Sequence, residues 1–451
     1  SNRLGSFLRT PHKFEAFLIY FLTRVRLVRI HIENSSDVPM VFEVINDRGV
    51  RLRPYEVLKG KLLGQIAKEE IDPYHDIWQE HIHRLQRIDE REVDNFFRFL
   101  FRANYVDNRN DYRAFDGEYH KTIYEDKWNE KIALKQNPTR VKEFVRVDFR
   151  YYADLYARLL RDAKQEATQI SPHLYFNDLN NQDRQFLLIL SACLPNDPEE
   201  ITKIRLVSRL FDCHFTLLQL TGAYDSNRFT ESLISLNKEL RNQTPAEIAK
   251  VYWQQIAADI AEGLGVELTD PFQWRYFKDA SMRNMGKKFL KYYLARIDHW
   301  LAEQIGDVTK SYDDLVQKGG WKWGYHIEHI LAHNDENLAM FASDEEQFYL
   351  ERNRLGALLL LLGRDNQASQ NEPYSKKMKT YSHSLLWNRT LHPDFYHKNK
   401  GFDELMQKHG LKFRPLAQFD QRAVEERQRL LFEITKRIWH FETPQQAMGD
   451  L

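Results

Sequence analysis

One stretch of the sequence reads Tyr325-His326-Ile327-Glu328-His329-Ile330-Leu331-Ala332-His333-Asn334, and it places three histidines and one glutamate within eight residues. The segment around it, Trp321 to Leu331, is rich in aromatic residues and histidine and is predicted to form a short strand pair or hairpin. Because successive side chains of a strand point to opposite faces, Glu328 and His329 are expected to point apart.

These residue types suit a division of labour at a phosphodiester bond. The Glu328 carboxylate is expected to reach a hard cation such as Mg²⁺, which prefers oxygen ligands, keeps several waters and shares a substrate phosphate. The imidazole of His329 would stay off the metal and take a proton from attacking water. Two alternatives remain open, since three close histidines, with His326 and His333 unassigned, also occur in ordinary hairpins and in adventitious zinc sites.

Basic side chains follow this stretch. The segment from Arg352 to Lys379 holds six basic residues, namely Arg352, Arg354, Arg364, Lys376, Lys377 and Lys379, and two acidic ones, Asp365 and Glu372. This local excess could bind backbone phosphates, although on charge alone a solvated helix face is the simpler interpretation. The apolar run Leu355 to Leu362 within the segment fits a strand or a helix equally well.

Composition excludes several classes of protein. The chain has 451 residues, with 65 Lys plus Arg against 65 Asp plus Glu, so no overall charge indicates a nucleic acid or a membrane as partner. Only Cys193 and Cys213 are present, which excludes a disulfide framework and fits a reducing cytoplasm. No apolar run is long enough to span a bilayer. Because the first residue is Ser1, we expect a trimmed or tagged start.

Periodicity predicts a mainly α protein in three parts. Residues 1–75 form a partial α/β unit, with a helix over 12–23, a strand over 25–32, a short helix over 40–45 and another helix after Pro54. Residues 76–285 are predicted to be helical, with aromatic stripes as core and long connections between Asn104 and Pro138. Residues 286–451 return to helix around the histidine-rich stretch, and any chemistry is expected between about 325 and 385.

Two segments resemble a known family. Phe42-Glu43-Val44-Ile45-Asn46-Asp47-Arg48-Gly49, with Leu52, Glu56, Leu58 and Lys59, resembles a stretch of the DUF262 domain. That domain is the ParB-like, nucleotide-hydrolysing half of Gmr-type modification-dependent restriction endonucleases. The second segment resembles the DUF1524 domain, the His-Me finger (HNH-like) nuclease half of the same proteins; its residues are Ile327 to Leu331, Arg354 to Gly356, Leu358 to Leu360, Asn366, Ser369, Asn371, Pro373, Tyr374, Lys376 and Lys377.

The resemblance implies a ββα-metal nuclease unit embedded in the helices of residues 286–451. In it His329 would be the general base, and Glu328 and Asn366 would be ligands of Mg²⁺ or Mn²⁺ or would orient its ligands. The DNA contacts would come from Arg354, Lys376, Lys377 and Lys379, while Asn371 stays without an assigned role. Such proteins act in defence against phage, so the expected partner is DNA, including modified phage DNA, and homodimerisation is left open.

The sequence departs from the family pattern at three points. Ala332 and Ala357 replace a proline and an asparagine of the finger, and Asn353 or Asn334 would have to substitute for the latter. Nothing matches the Asp-Gly-Gln-Gln-Arg motif that opens the nucleotide domain. We therefore expect the chain to begin partway through that domain and an NTP to serve only the full-length protein.

Residues 46–49 have a simpler interpretation as well. Asn-Asp-Arg-Gly is typical of a helix end with glycine in a left-handed cap, and Lys59 of a surface lysine. The alternative is a nucleotide or domain contact by Asn46, Arg48 and Lys59.

Two functions follow for the whole chain. The first is a metal-dependent DNA endonuclease of a modification-dependent restriction system, with His329 as general base. The alternative is a catalytically decayed relative that binds or regulates DNA without cleaving it, as Ala332 and Ala357 would suggest. RNA cleavage is a third, weaker option, because a base and a metal act on either backbone.

Overall fold

The computed structural model describes residues 10–26, 52–268, 270–320, 322–342, 344–369 and 371–440. The predicted short helix over 40–45, most of the predicted strand over 25–32, and both Asn46 and Arg48 lie outside these residues. Contacts divide the chain into two units, residues 1–64 and 65–451.

The first unit contributes two described helices, Pro11–Arg24 and Pro54–Leu63. Both confirm helices that the periodicity predicted. Pro54 occupies the first turn of the second helix, where its missing N–H costs nothing, and Leu58, Leu62 and Leu63 are buried along one side. Lys59 lies on this helix, half-buried, and burial lowers its pKa.

The second unit begins with a helical region whose core is aromatic. Trp78 stacks on Phe97 and Phe149, with ring centroids 5.4 and 4.6 Å apart, and this confirms that the aromatic stripes are core. Its α-helices are Asp72–Gln86, Glu92–Tyr105, Arg109–Ala114, Tyr119–Thr122, Asp126–Ile132, Pro138–Glu143, Arg150–Ala163, Pro172–Leu179, Gln185–Ala192, Glu200–Thr221, Ser226–Glu239 and Pro245–Leu264, and a π-helical turn spans Phe144–Phe149.

The segment from 104 to 138 differs from the prediction of long connections. It forms three short helices, Arg109–Ala114, Tyr119–Thr122 and Asp126–Ile132. The polar sequence contains aromatic residues whose burial stabilises these short helices. Trp128 is 1 % exposed, and Phe115, just after the first helix, is 0 % exposed.

The C-terminal region is helical as well, and it carries the two strands that the described residues contain. Strand β1 is Tyr325–His329 and strand β2 is Leu358–Leu362. The helices are Trp274–Phe277, Lys287–Ile305, Asp335–Ala339, Glu345–Arg352, Gly363–Ser369, Tyr374–Tyr381, Leu386–Arg389, Pro393–Lys398, Lys400–His409 and Gln421–Trp439, with 3₁₀ turns at Met282–Asn284 and Leu355–Ala357 and a π-helical turn at Asp313–Gln317. The molecule is therefore mainly helical, as predicted.

The strands pair antiparallel, with Tyr325 opposite Leu362 and His329 opposite Leu358. This pairing corrects the expectation of a local hairpin over 321–331, because the partner of β1 comes after a connection that itself holds two helices. The apolar run that fitted strand or helix is a strand preceded by a 3₁₀ turn. It is apolar throughout because Leu358 to Leu361 are all buried, and Lys287–Ile305 packs against both strands.

The last helix, Gln421–Trp439, packs closely against the 3₁₀ turn that precedes β2. The backbone N–H of Gly356 donates to Gln428 Oε1 at 2.6 Å, and Arg427 Nε donates to the carbonyl of Gly356 at 3.2 Å. A Cβ atom on Gly356 would lie 2.3 Å from the carbonyl oxygen of Val424. Glycine is required here by the close approach of two backbones.

None of the helices in the described part of the chain has the length and apolar character needed to cross a bilayer.

Candidate active site

His329 is the last residue of β1, and its ring is partly exposed. Nε2 lies 3.1 Å from Asn353 Oδ1. The amide of Asn353 is itself oriented, because its Nδ2 donates to the carbonyl of Tyr349 at 2.6 Å. Since an amide oxygen only accepts, the neutral ring must carry its proton on Nε2 and leave Nδ1 as the basic nitrogen.

The imidazole of His329 is neutral at physiological pH. Burial, the guanidinium of Arg352 and the ammonium of Lys377 lower its pKa, the bond to Asn353 opposes them, and the result is about 4. Arg352 is held in place because its Nε donates to the carbonyl of Leu331 at 3.3 Å.

Glu328 is buried beneath the strand, with 5 % of its surface exposed. Lys377 Nζ donates to its Oε1 at 2.5 Å, and the hydroxyl of Tyr381 donates to the same oxygen at 3.2 Å. Burial raises the pKa of Glu328 although Lys377 and Tyr381 lower it. Because side chains alternate along the strand, the two neighbours have different surroundings. Glu328 contacts the helix Tyr374–Tyr381, and His329 contacts Asn353.

Two of the basic residues expected to contact DNA are engaged inside the protein. Lys377 is 0 % exposed, and its second bond, at 2.9 Å, goes to the carbonyl of His329. Arg354 is bound to Glu351 at 3.0 Å and to Glu425 at 2.6 Å. Neither side chain lies where a phosphate contact requires it, because each is paired with a carboxylate and largely removed from solvent.

The other two basic residues do face solvent. Lys376 and Lys379 are exposed on the helix Tyr374–Tyr381, whose opposite side holds Lys377. Lys377 therefore lies under the strand, whereas Lys376 and Lys379 face solvent.

The remaining predicted residues lie on β1 and on the segments that follow the two strands. His326 is partly exposed, with Nε2 3.3 Å from the carbonyl of Gly320. His333 is exposed and its ring lies edge-on to Phe348, with centroids 5.8 Å apart. Asn366 is half-buried on the helix Gly363–Ser369, and Asn371 is exposed, its carbonyl 3.4 Å from Asn334 Nδ2.

The donor set limits what metal this site could bind. Within the described ranges, no group of three or more His, Cys, Asp or Glu side chains is placed to hold an ion. The Glu328 carboxylate is also bound to Lys377 and Tyr381. A cage built from protein carboxylates alone does not fit these residues. An ion shared with a substrate phosphate would need only one or two protein ligands, because Mg²⁺ keeps several waters.

The backbone carbonyls of the two alanines that depart from the family pattern both accept hydrogen bonds. The carbonyl of Ala332 accepts from Asn337 Nδ2 at 2.7 Å, which secures the end of the strand segment. The carbonyl of Ala357 accepts from the Ile330 N–H at 2.9 Å. Asn353, which sequence reasoning considered only as a substitute for a missing asparagine, is the partner of His329. Sequence spacing gave no signal of this contact, since the two lie 24 positions apart.

The comparison with protein families gives one match. Residues 273–434 match the C-terminal domain of GmrSD restriction endonucleases, and this range includes β1, β2, Asn353 and the helix Tyr374–Tyr381. Among the curated proteins, none matches the chain. Restriction endonucleases are hydrolases whose substrate is DNA. Over residues 273–434 the chain is therefore similar to the C-terminal domain of GmrSD restriction endonucleases.

Proposed function

We propose that the protein is a metal-dependent DNA endonuclease in which His329 is the general base. One observation carries the proposal: His329 stands at the partly exposed end of β1 with its Nε2 proton assigned by Asn353. A ring fixed in this tautomer, and neutral at physiological pH because of its lowered pKa, has Nδ1 as its proton-accepting nitrogen.

The roles of the chain's own residues follow from this arrangement. His329 Nδ1 takes the proton of the attacking water, and Asn353 holds the ring so that Nδ1 keeps its direction. Lys376 and Lys379 contact backbone phosphates from the exposed face of their helix. A bound Mg²⁺ or Mn²⁺ would neutralise charge on the phosphate and the leaving oxygen. Asn366 and Glu328 are its proposed protein ligands, Glu328 only if DNA binding loosens its bond to Lys377.

The biological setting is part of the same proposal. A GmrSD-type C-terminal domain supports action in a modification-dependent restriction system that cleaves modified phage DNA in the cytoplasm. An NTP would serve a nucleotide domain of the DUF262 kind, and a homodimer would place two such sites on one duplex.

The test is nicking of supercoiled plasmid with Mg²⁺ or Mn²⁺. We expect His329→Ala to reduce the rate about 10²- to 10⁴-fold, which is the usual contribution of a general base. His326→Ala is the matched control, because it removes the same side chain from the same strand, and it should stay within about twofold. EDTA should stop cleavage by the wild type. Activity that survives His329→Ala would remove His329 from the mechanism.

The buried pair of Glu328 and Lys377 favours a second candidate, the non-cleaving DNA-binding relative. A carboxylate that stays bound to lysine cannot serve a metal. This candidate predicts salt-dependent DNA binding without cleavage in any divalent metal. Labelled RNA digested beside labelled DNA separates RNA cleavage from both.

A further inference from the structure

Arg352 is the last residue of the helix Glu345–Arg352, and it brings a positive charge close to His329. Its Nε donates to the carbonyl of Leu331, two residues beyond His329 in the chain, at 3.3 Å. The next residue, Asn353, lies 3.1 Å from the ring of His329. The end of one helix therefore supplies both the partner of the imidazole and a guanidinium group near it.

The charge of Arg352 acts on both functional side chains of β1. Burial is the largest cause of the lowered pKa of His329, and Arg352 is the second. Burial raises the pKa of Glu328, whereas Lys377, Tyr381 and Arg352 lower it. Because the interaction between charges falls with distance, these effects agree with the hydrogen bonds in placing the guanidinium group near both side chains. A phosphate attacked by a water on His329 would lie within reach of Arg352.

Arg352 differs from the other two cations of the site in its partners. Lys377 and Arg354 are both paired with carboxylates. Within the part of the chain that the structure describes, no carboxylate forms an ion pair with Arg352, whose side chain bonds the Leu331 carbonyl and lies over Phe348, 5.8 Å from the ring centre. Arg352 is half-buried, and neither of its terminal nitrogens is a buried atom without a partner. Those nitrogens therefore face solvent and can donate to a bound anion.

The electrostatics of Arg352 favour such an anion. Burial lowers the pKa of the guanidinium group, and Tyr349 and Glu328 raise it only in part. The protein's own groups thus leave the desolvation of this charge incompletely compensated. The non-bridging oxygens of a phosphodiester fit the two terminal nitrogens of a guanidinium fork and carry the opposite charge.

We propose that Arg352 binds the non-bridging oxygens of the scissile phosphate and is a catalytic residue of the nuclease. The inference rests on the proposed function, because it places that phosphate beside His329. Negative charge on these oxygens grows as water attacks, so a guanidinium group held in advance by Leu331 stabilises the transition state more than the bound substrate. Lys376 and Lys379 bind flanking phosphates from the exposed face of their helix.

Single-turnover nicking of supercoiled plasmid with Mg²⁺ tests the catalytic role. We expect Arg352→Gln to lower the rate about 10²- to 10³-fold with little change in the protein concentration for half-maximal rate, because the contact strengthens in the transition state. Arg352→Lys keeps the charge without the fork and should recover part of the loss. Arg113→Gln, which changes an exposed arginine of the helical region, is the matched control and should stay within about twofold. Thermal unfolding shows whether each variant is folded.

DNA binding in EDTA separates a phosphate contact from a purely structural role. The fluorescence anisotropy of a short labelled duplex is titrated with each protein at several NaCl concentrations. Loss of one phosphate contact lowers the log–log salt slope by about one unit, so Arg352→Gln should lose that unit and Arg352→Lys should keep it. A structural role predicts that both variants keep the wild-type slope.

The two measurements also distinguish failure of this inference from failure of the proposed function. An unchanged salt slope in Arg352→Gln, or a nicking rate equal to that of Arg113→Gln, would overturn the role of Arg352 and leave His329 as the base. If Arg352→Gln does not fold, Arg352→Lys with the wild-type rate would overturn it as well. A wild type that nicks no plasmid would remove the nuclease and the catalytic role together, while the salt slope would still show whether Arg352 binds a phosphate.

Discussion

Replacement of Lys377 by methionine tests the arrangement beneath the strand. The substitution keeps the length of the side chain and removes its charge. Lys377 is 0 % exposed and Glu328 is 5 % exposed, so the carboxylate would be left in the interior with only the 3.2 Å bond from Tyr381. Loss of one partner of a buried ion pair costs about 3 to 5 kcal/mol, because the other charge stays uncompensated.

The loss of stability caused by Lys377→Met should increase as the pH rises. Without Lys377 the folded-state pKa of Glu328, which burial already raises, rises further. A carboxyl whose pKa is higher in the folded state loses stability as pH rises from the unfolded value, about 4.3, up to the folded value. The slope is about 1.4 kcal/mol per pH unit, so the variant should be only mildly destabilised at pH 5 and severely at pH 8.

Urea unfolding at both pH values, followed by tryptophan fluorescence, measures this difference. Hydrogen exchange over Tyr325–His329 and Tyr374–Tyr381 reports the local opening in a chain too long to assume two-state unfolding. Glu328→Gln/Lys377→Met should recover most of the loss, because a neutral pair replaces a charged one. Lys376→Met, one position away and exposed, is the control and should stay within about 0.5 kcal/mol of wild type. A cost for Lys377→Met equal to that of the control, or the same at both pH values, would refute a buried ion pair.

Four further outcomes are expected. The acid limb of kcat/KM for plasmid cleavage should lie near pH 4 to 5, because the pKa of His329 is about 4 in the free protein, and Arg352→Gln should move it upward; an inflection at 6.5 in the wild type would contradict the lowered pKa. Gly356→Ala should destabilise the protein by about 3 kcal/mol in thermal unfolding, since the new Cβ would lie 2.3 Å from a backbone oxygen of Val424. Lys376→Gln/Lys379→Gln should lower the salt dependence of DNA binding by about two units of the log–log slope, whereas Lys377→Met should leave that slope unchanged. Glu328→Gln should raise the Mg²⁺ concentration for half-maximal cleavage at least tenfold, because Glu328 is a proposed ligand, and an unchanged concentration would show that the carboxylate stays with Lys377.

The spacing of apolar residues predicted the structural features that depend on residues close together in the sequence. The alternation of β1, the buried side of Pro54–Leu63 and the aromatic stripes of the helical region all follow from the spacing of side chains on one element. The ambiguity of the apolar run Leu358–Leu362 could not be resolved in the same way, because a fully buried strand and a buried helix carry the same composition. Its pairing with Tyr325–His329 depends on how intervening helices fold, and spacing carries no information about that.

The pattern of charged residues was the least reliable predictor of which side chains are exposed. A lysine next to exposed lysines reads as surface, and nothing near Lys377 in sequence shows that Glu328, 49 positions earlier, lies against it. The same holds for Arg354, whose partner Glu425 is 71 positions away. Sequence reasoning predicted the chemistry between about 325 and 385, whereas the partners that determine each charge come from distant elements.

Glu328 and His329, which are neighbours on β1, have different roles in this geometry. Lys377 bonds both the Glu328 carboxylate and the carbonyl of His329, so one ammonium group fixes the backbone at the residue whose ring is exposed. Asn353 fixes the ring of the same residue from the other face. Backbone and imidazole are thus held independently, and a base needs both, because an error of about 1 Å in its position costs about a hundredfold in rate. On this argument the pair of Glu328 and Lys377 positions His329 in the protein without DNA.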